Sequence, residues 1–591
     1  IVLIGVISMP YDPAVCSLSV PRLSRGQLYH RLRLIRRRLQ SFPLDSADFV
    51  MMDLERPDAS TRMADWCTGD LTGRILEFLC CAQGVDGVEA DFSGLFERIL
   101  RTKTACGLYG RYGDTPGKKG HEEFPASGAN KLFWAMMRAY ELSGDARALE
   151  AARDIGDYLI AHASQLLSFG DSHTPVPLYF WVTEPFARLY HATGEKKYLD
   201  MLSRLRAHIG PLERSHSHGL LSTLRGLQTA AMLTGDMEWN ELPERLRRQI
   251  IERDYVLPDG DICEYFPRSG RNEGCSIADW LMLNLNAGYL TGDDDAYERA
   301  EHILYNALSF NQIVTGGLGH RAIVPEGYGS REFEEAWWCC TENGGVAMTE
   351  YARHAVTRRG NTIRVNLLVP GTFRLPVPDG EVCVRISTVW PQKPEAVIAV
   401  TGLPEEMTLT IRVPSCIKSP HIEERRQGGC GTWRLSGKMG YSLVPWNSRY
   451  PGDAAVTGKS CLMYGPLILA PSCYTWEGHA FDNASSTVPE GYIPAQFPTR
   501  DCSIVAPAFD EDGFRRFSHE PFPDWCYFEE GPDSRTGVGE VSAHVTLQFP
   551  DGSRQPCHFW PLCYSTSTLC FNDVPILFGV LDELAGTASA D

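Results

Sequence analysis

The chain has 591 residues, of which 43% are hydrophobic and 22% charged, and its formal net charge is -18. That length is too great for one compact core, so two domains with room for a third small module are expected. The acidic balance excludes a general binder of nucleic acid or anionic membrane, either of which needs a basic surface, and the sequence contains no run of about twenty apolar residues that would span a bilayer.

Taken in chain order, Ile1 to Met9 is a short apolar stretch that reads as a clipped end or as the remnant of a signal peptide. Against the second reading, the 19 cysteines form an odd total without small-domain spacing, which suits reduced thiols and a cytoplasmic protein. Arg31, Arg33, Arg36, Arg37 and Arg38, interleaved with Leu32, Leu34 and Ile35, read as the solvated face of a helix. From about residue 22 to 358, apolar residues recur at three- and four-residue steps, the period of packed helices. Cys80-Cys81, after the apolar run Ile75 to Leu79, reads as core. Four helical runs end alike, in Ser143-Gly144-Asp145, Thr193-Gly194-Glu195, Thr234-Gly235-Asp236 and Thr291-Gly292-Asp293. A Gly closes one helix in the left-handed conformation and an Asp caps the next, so these are helical hairpins joined by short turns. Hairpins repeating over such a length predict an α/α toroid or a solenoid. Gly107 to Gly120 and Asp259 to Gly274 read as polar loops that carry the site.

After about residue 359 the period becomes two. Thr362 to Leu367, Val382 to Ile386, Ala396 to Val400, Thr408 to Val413 and Val541 to Phe549 read as strands broken by Pro and Gly. The predicted fold is therefore multi-domain α+β: residues 1–358 a helical catalytic toroid, and residues 359–591 a β-rich sandwich region of one or two modules, with a surface for a homodimer.

The chemistry centres on Trp337-Trp338-Cys339-Cys340-Thr341-Glu342-Asn343. Two neighbouring thiols at a helix start lie in the positive field of the helix dipole, which favours thiolate, the form that binds metal and attacks carbon. Upstream, Glu273 and Cys275 alternate along an extended segment and project the same way. Together with Cys339 and Cys340 they make a three-thiolate, one-carboxylate set suited to tetrahedral zinc, with Cys263 as a rival fourth ligand.

The order Glu264-Tyr265-Phe266, then Glu273-Gly274-Cys275 opening a helix that ends in Leu290-Thr291-Gly292-Asp293, then Leu304 to Leu308, then Cys339-Cys340 with Asn343, resembles glycoside hydrolase family 127, the β-L-arabinofuranosidase-like proteins. The resemblance extends to an (α/α)6 toroid and a β-rich C-terminal part that includes Leu462 to Leu467. It implies Cys339 as nucleophile, zinc held by Glu273, Cys275, Cys339 and Cys340, and Glu264 as general acid/base. The family's acid/base lies farther before its E-x-C motif, so the intervening loop is shortened here, and Asp259 and Asp261 are substitutes for Glu264. Trp181 stands about where the family often has a His, and Trp337-Trp338 precede the cysteines in place of another. His216 or His218, in His216-Ser217-His218-Gly219, resembles a family G-H motif that binds sugar. His320 reaches the same pocket, Trp181 makes that substrate-binding pocket more aromatic, and Trp337 and Trp338 offer sugar-stacking surfaces.

The implied activity is a zinc-dependent retaining glycosidase acting on β-L-arabinofuranosides or a related unusual pentose or deoxy sugar. The alternatives are a carbohydrate-binding relative that keeps zinc without turnover, and a metal-free toroid enzyme such as an unsaturated-uronyl hydrolase or a sugar epimerase.

Overall fold

The computed structural model describes residues 17–55, 68–110, 126–168, 181–313, 315–324, 327–378, 380–454, 457–471, 474–475, 493–494, 503–517, 541–564, 576–577 and 580–585. Ile1 to Met9 and residues 111–120 of the first Gly-rich loop lie outside the described residues.

The longer helices are α1 (Gln27–Leu39), α2 (Asp70–Cys81), α3 (Ser93–Leu100), α4 (Ala126–Ser143), α5 (Ala146–Ala161), α6 (Thr183–Thr193), α7 (Lys196–Ala207), α8 (Ser217–Thr234), α9 (Glu238–Glu252), α10 (Gly274–Thr291), α11 (Asp294–Ile303) and α12 (Cys340–His354). Helices α2, α4, α6, α8, α10 and α12 each pack on the next, and α12 returns to α2, so they close a ring. Around them α1 lies on α12, α5 on α4, α7 on α6, α9 on α8 and α11 on α10. This is the six-fold toroid that the hairpin repeats imply, closed and not an open solenoid.

Sequence pattern explains the two layers. Inner helix α10 is buried from Gly274 to Leu290 and apolar nearly all round, whereas outer helix α9 buries one stripe of Trp239, Asn240, Pro243, Leu246, Arg247 and Ile250. The hairpin turns share one geometry. Gly194, Gly235 and Gly292 cap their helices with φ of 71°, 73° and 75°. In each turn, and at Ser143, the Ser or Thr hydroxyl accepts a hydrogen bond from the backbone N–H two residues on. Asp145 and Asp293 cap the helices that follow.

The basic run in α1 is a solvated face only at Arg37 and, in part, at Arg33. Arg31, Arg36 and Arg38 are buried; Arg36 pairs with Asp86 at 2.6 Å and Arg38 with Glu335 at 2.5 Å. Periodicity marks that face polar but cannot show that carboxylates face it.

Residue 358, the expected end of the toroid, falls within a strand. Helix α12 ends at His354, and Val356–Arg359 is already a strand, paired on one side with Thr362–Val365 and on the other with Ser17–Leu18. Val20–Leu23 joins the edge of a six-stranded sheet beside Gly371–Val377. Residues 17–23 therefore belong to the β-rich part, because a short strand is assigned by its partner and that partner lies far along the chain. Among the described residues, seven strands of the C-terminal part form a further sheet, in which Val580–Ala585 pairs back with Ser460–Tyr464 and closes the sheet on itself. Asn306 ties this system to the toroid: its side chain donates to the Pro466 carbonyl at 2.9 Å and accepts from the Ile468 N–H at 2.8 Å.

Candidate active site

Helices α10 and α12 are neighbours in the inner ring and begin at the same place. Glu273 is the N-cap of α10, with extended backbone, and Cys275 lies in its first turn. Cys339 is the N-cap of α12 and Cys340 its first residue. Gly274 permits the approach, since a Cβ there would stand 3.0 Å from the Cys340 Cβ and 2.9 Å from Asn311 Oδ1. As a result, one ligand atom from each of Glu273, Cys275, Cys339 and Cys340 lies within 4.8 Å of the others, and all four residues are buried. The Sγ atoms of Cys339 and Cys340 are 3.6 Å apart. Cys263, the rival ligand, is outside the group. Its thiol is pushed up to about 12 by burial, and its carbonyl accepts a hydrogen bond from Ser217.

The three thiols are not equivalent. Hydrogen bonds from Cys275 and Cys340, helped by the nearby Arg74 guanidinium, bring the Cys339 thiol well below its usual range. Burial raises both Cys275 and Cys340 well above theirs. Arg74 stands behind the group, with Nη1 3.9 Å from Cys275 Sγ and Nε 2.9 Å from Asp70. Asn343, in α12, donates to the Cys275 carbonyl at 3.2 Å and ties the two helix starts together.

His216 caps α8 and accepts the Gly219 N–H at Nδ1, 3.2 Å away. Nε2 then carries the ring proton and faces Glu273 Oε2 at 3.1 Å. Ser276 donates to the same oxygen at 3.0 Å. Burial works to raise the Glu273 carboxyl, but His216 prevails and holds it well below the carboxylate range. His216 is thus a partner of a candidate metal ligand.

His218 lies deeper. Its Nδ1 bonds the Asp279 carboxylate, which Arg225 holds from the other side at 2.8 Å. Burial lowers its pKa and favours the neutral ring. Trp181 packs on His218 with ring centres 4.8 Å apart, and among the described residues neither Trp181 Nε1 nor His218 Nε2 has a hydrogen-bond partner. Trp337 points elsewhere, onto Phe49 at 5.5 Å and edge-on to Trp338 at 5.4 Å.

Glu264 lies beside the cluster: one of its oxygens, a His216 nitrogen and a Glu273 oxygen fall within 4.8 Å of one another. It is also held by Arg271, which bonds one oxygen through Nε and the other through Nη2 at 2.9 Å. The cause is the short hairpin between Glu264 and Glu273, in which Glu264 N–H bonds the Arg271 carbonyl at 3.1 Å and the two side chains emerge together. Asp259 and Asp261, the substitutes considered for this role, are buried, not solvated turn residues. Asp261 accepts from Asn272 at 2.5 Å and from the Ile262 N–H at 2.6 Å. Most of the loop from Asp259 to Gly274 is likewise buried, because its polar groups satisfy one another.

Sequence reasoning missed Arg74, Arg271, Asp279, Arg225 and Glu342. Glu342 is buried, among the described residues neither of its oxygens has a hydrogen-bond partner, and burial next to Cys339 holds it well above the carboxylate range. Only the acidic residue three positions into α12 hinted at it, and there it reads as an ordinary first-turn carboxylate.

Residues 120–353 match the family model described as β-L-arabinofuranosidase, GH127 catalytic domain. That segment contains Glu264 and all four members of the cluster. No curated protein matches the sequence significantly. Among solved structures, a GH127 β-arabinofuranosidase aligns with a TM-score of 0.66 at 13% identity, covering 95% of this chain and 97% of its own. A GH127 β-L-arabinofuranosidase from Geobacillus stearothermophilus T6 aligns at 0.64 and 14%, covering 96% and 100%. A third, titled a glycoside hydrolase, aligns at 0.63 and 12%, covering 97% and 98%. The fold of these structures thus spans the toroid and the β-rich region alike, and glycoside hydrolase is the enzyme class that the matched domain identifies.

Proposed function

From a GH127 catalytic domain spanning residues 120–353, we propose that the protein is a retaining glycoside hydrolase of β-L-arabinofuranosides or a related unusual pentose or deoxy sugar, with Cys339 as nucleophile. The carrying observation is the buried group of Glu273, Cys275, Cys339 and Cys340 at two converging helix starts. Three thiols and one carboxylate fit tetrahedral zinc, and their burial without a countercharge among themselves fits a cation. When bound there, zinc supplies the charge that keeps the thiols ionised.

In this reading the chain's own residues take the following roles. Cys339 at the N-cap of α12 attacks the anomeric carbon and forms a glycosyl-cysteine. Glu264 protonates the leaving oxygen, then takes a proton from the water that releases the sugar. His216 and Ser276 orient Glu273, and Arg74 stabilises negative charge behind Cys275. His218 and Trp181 supply an acceptor, a donor and an aromatic face for the glycone, in a site that their burial keeps free of bulk water.

One observation favours the second reading, a carbohydrate-binding relative without turnover. Glu264 must give up its two-pronged contact with Arg271 before it can deliver a proton. Metal analysis and turnover of an aryl β-L-arabinofuranoside decide between them. About one zinc per chain with turnover, abolished in a folded Cys339→Ser variant, supports the enzyme; zinc without turnover supports the binding protein. A chain that binds no zinc yet cleaves glycosides, or a Cys339→Ser variant that stays active, refutes the proposal.

A further inference from the structure

One face of the six-stranded sheet is open to solvent. Its strands run in the order Lys418–Gln427, Cys430–Lys438, Ala396–Thr401, Gly380–Thr388, Gly371–Val377 and Val20–Leu23. Phe373, Val384, Ile386, Ile398, Trp433 and Leu435 fill the core from one side, and the residues that alternate with them point away from it. We propose that this outward face docks a carboxylated polysaccharide, a chain of uronic-acid rings, and so holds an acidic polymer on the enzyme. The choice of a polysaccharide among polyanions rests on the glycosidase reading given above; the anion-binding character of the face does not.

The strand register sets one straight row of side chains across all six strands. Arg22 is opposite Thr372, Thr372 opposite Arg385, Arg385 opposite Ala399, Ala399 opposite Thr432 and Thr432 opposite Arg425. With strands about 4.8 Å apart, Arg22 and Arg385 stand about 10 Å from each other, and Arg385 and Arg425 about 14 Å. Arg374 lies in the next row on one side and Arg434 in the next row on the other.

All five arginines are exposed. Arg374 pairs with Glu381 at 2.7 Å and Arg425 with Glu423 at 2.6 Å, and Glu423 also lies opposite Arg434. Among the described residues, Arg22 and Arg385 have no carboxylate partner. In a chain whose net charge is -18, such a concentration of positive charge on one face draws an anion to it.

The spaces between the arginines are small or hydroxylated. Ala399, Thr401, Thr432, Arg425 and Gln427 border an open groove of 450 Å³, within the roughly 300–1,000 Å³ range of small-molecule sites. Guanidinium groups fork onto carboxylates through two parallel hydrogen bonds, and threonine hydroxyls and the Gln427 amide suit sugar hydroxyls. Among the described residues no aromatic side chain points from this face, so it lacks the aromatic-rich centre of a protein–protein interface. The row of arginines, about 24 Å long at the usual strand spacing, matches a polymer and not one small anion.

The test uses the full chain with polygalacturonate, alginate and methyl-esterified polygalacturonate as probes, binding being read by isothermal titration calorimetry. At least one of the two polyuronates is expected to bind at least about ten-fold more tightly than the neutral ester, with an affinity that falls as salt rises from about 0.05 to about 0.2 M. Arg385→Gln is expected to weaken that binding about three-fold, and Arg22→Gln with Arg385→Gln about ten-fold, at an unchanged melting temperature and unchanged turnover of an aryl β-L-arabinofuranoside. Arg204→Gln, which removes an exposed charge from the toroid, should bind like wild type. Binding of neither polyuronate, equal affinity for the ester, or a double variant that binds like wild type overturns the docking face. Duplex DNA bound as tightly as the polyuronates overturns it in favour of unspecific polyanion binding. A dimer that forms without any polyuronate binding, and that Arg385→Gln dissociates, overturns it in favour of a contact between copies. Each of these outcomes is read from binding and stands apart from the glycosidase reading, which aryl-glycoside turnover decides.

Discussion

Gly274→Ala tests the architecture of the cluster without reference to any substrate. A Cβ at this position would lie 2.9 Å from Asn311 Oδ1, 3.0 Å from the Cys340 Cβ and 3.3 Å from the Gly319 carbonyl oxygen. Asn311 is itself fixed by bonds to both backbone groups of Gly319, at 3.0 and 2.9 Å, so the easier movement is to push Cys340 and the start of α12 outward by several tenths of an ångström. Overpacking of this kind costs about 1–3 kcal/mol, offset by at most ~1 kcal/mol of helix propensity gained on replacing Gly by Ala. The displacement also exceeds the roughly 0.2 Å tolerance of metal–ligand distances, so the loss should concentrate on metal affinity. We expect zinc binding, measured by competition with a chromophoric chelator, to weaken by about ten-fold, or 1.4 kcal/mol, with a smaller loss in denaturant unfolding of the zinc-free protein. Gly270→Ala is the control, since a Cβ there meets nothing within 4 Å, and its zinc affinity should match wild type. Equal affinity in wild type, Gly270→Ala and Gly274→Ala would refute the claim that the close approach of the two helix starts builds the site.

Glu264→Gln should slow substrates with poor leaving groups far more than activated aryl glycosides; an equal loss on both moves the acid/base role to another residue. Asn306→Ala should destabilise the chain by about 3 kcal/mol in denaturant unfolding, because it strands the Pro466 carbonyl and the Ile468 N–H in a buried contact; a loss below ~1 kcal/mol would show that the contact does not tie the two parts together. Asp53, buried against Thr72, is raised to about 7 by burial, so the folded state holds a proton that the unfolded state releases near pH 4. Stability should therefore fall as pH rises from about 4 to 7, at up to roughly 1.4 kcal/mol per unit, and Asp53→Asn should flatten that fall; an unchanged slope refutes the assignment.

Much of the fold is local and so was readable along the chain. The repeated Ser/Thr-Gly-Asp/Glu turns carry their own hydrogen bonds and left-handed glycines, which is why the hairpins could be placed from four short strings. The change of period near residue 359 reflects which side of each backbone unit meets the core, and that too is a property of consecutive residues. Two adjacent cysteines at a helix start, and an E-x-C ahead of another, announced their chemistry because short spacings fix relative direction.

Tertiary structure decided what distant residues do to one another. Arg36 and Arg38 look solvated until Asp86 and Glu335 are brought against them. The two short strands within residues 17–23 have no identity until strands near residues 357 and 372 pair with them. Glu264 and Arg271 are close in sequence, yet only the tight hairpin aligns them into a two-pronged pair, and Asp279 reaches His218 only because α8 and α10 are neighbours in the ring. Residue types along the chain set which chemistry is available, because acidity, softness and backbone freedom belong to each residue. Packing decides which thiol ionises and which carboxylate is held, because those depend on burial and on charges a few ångströms away that the order of residues does not reveal.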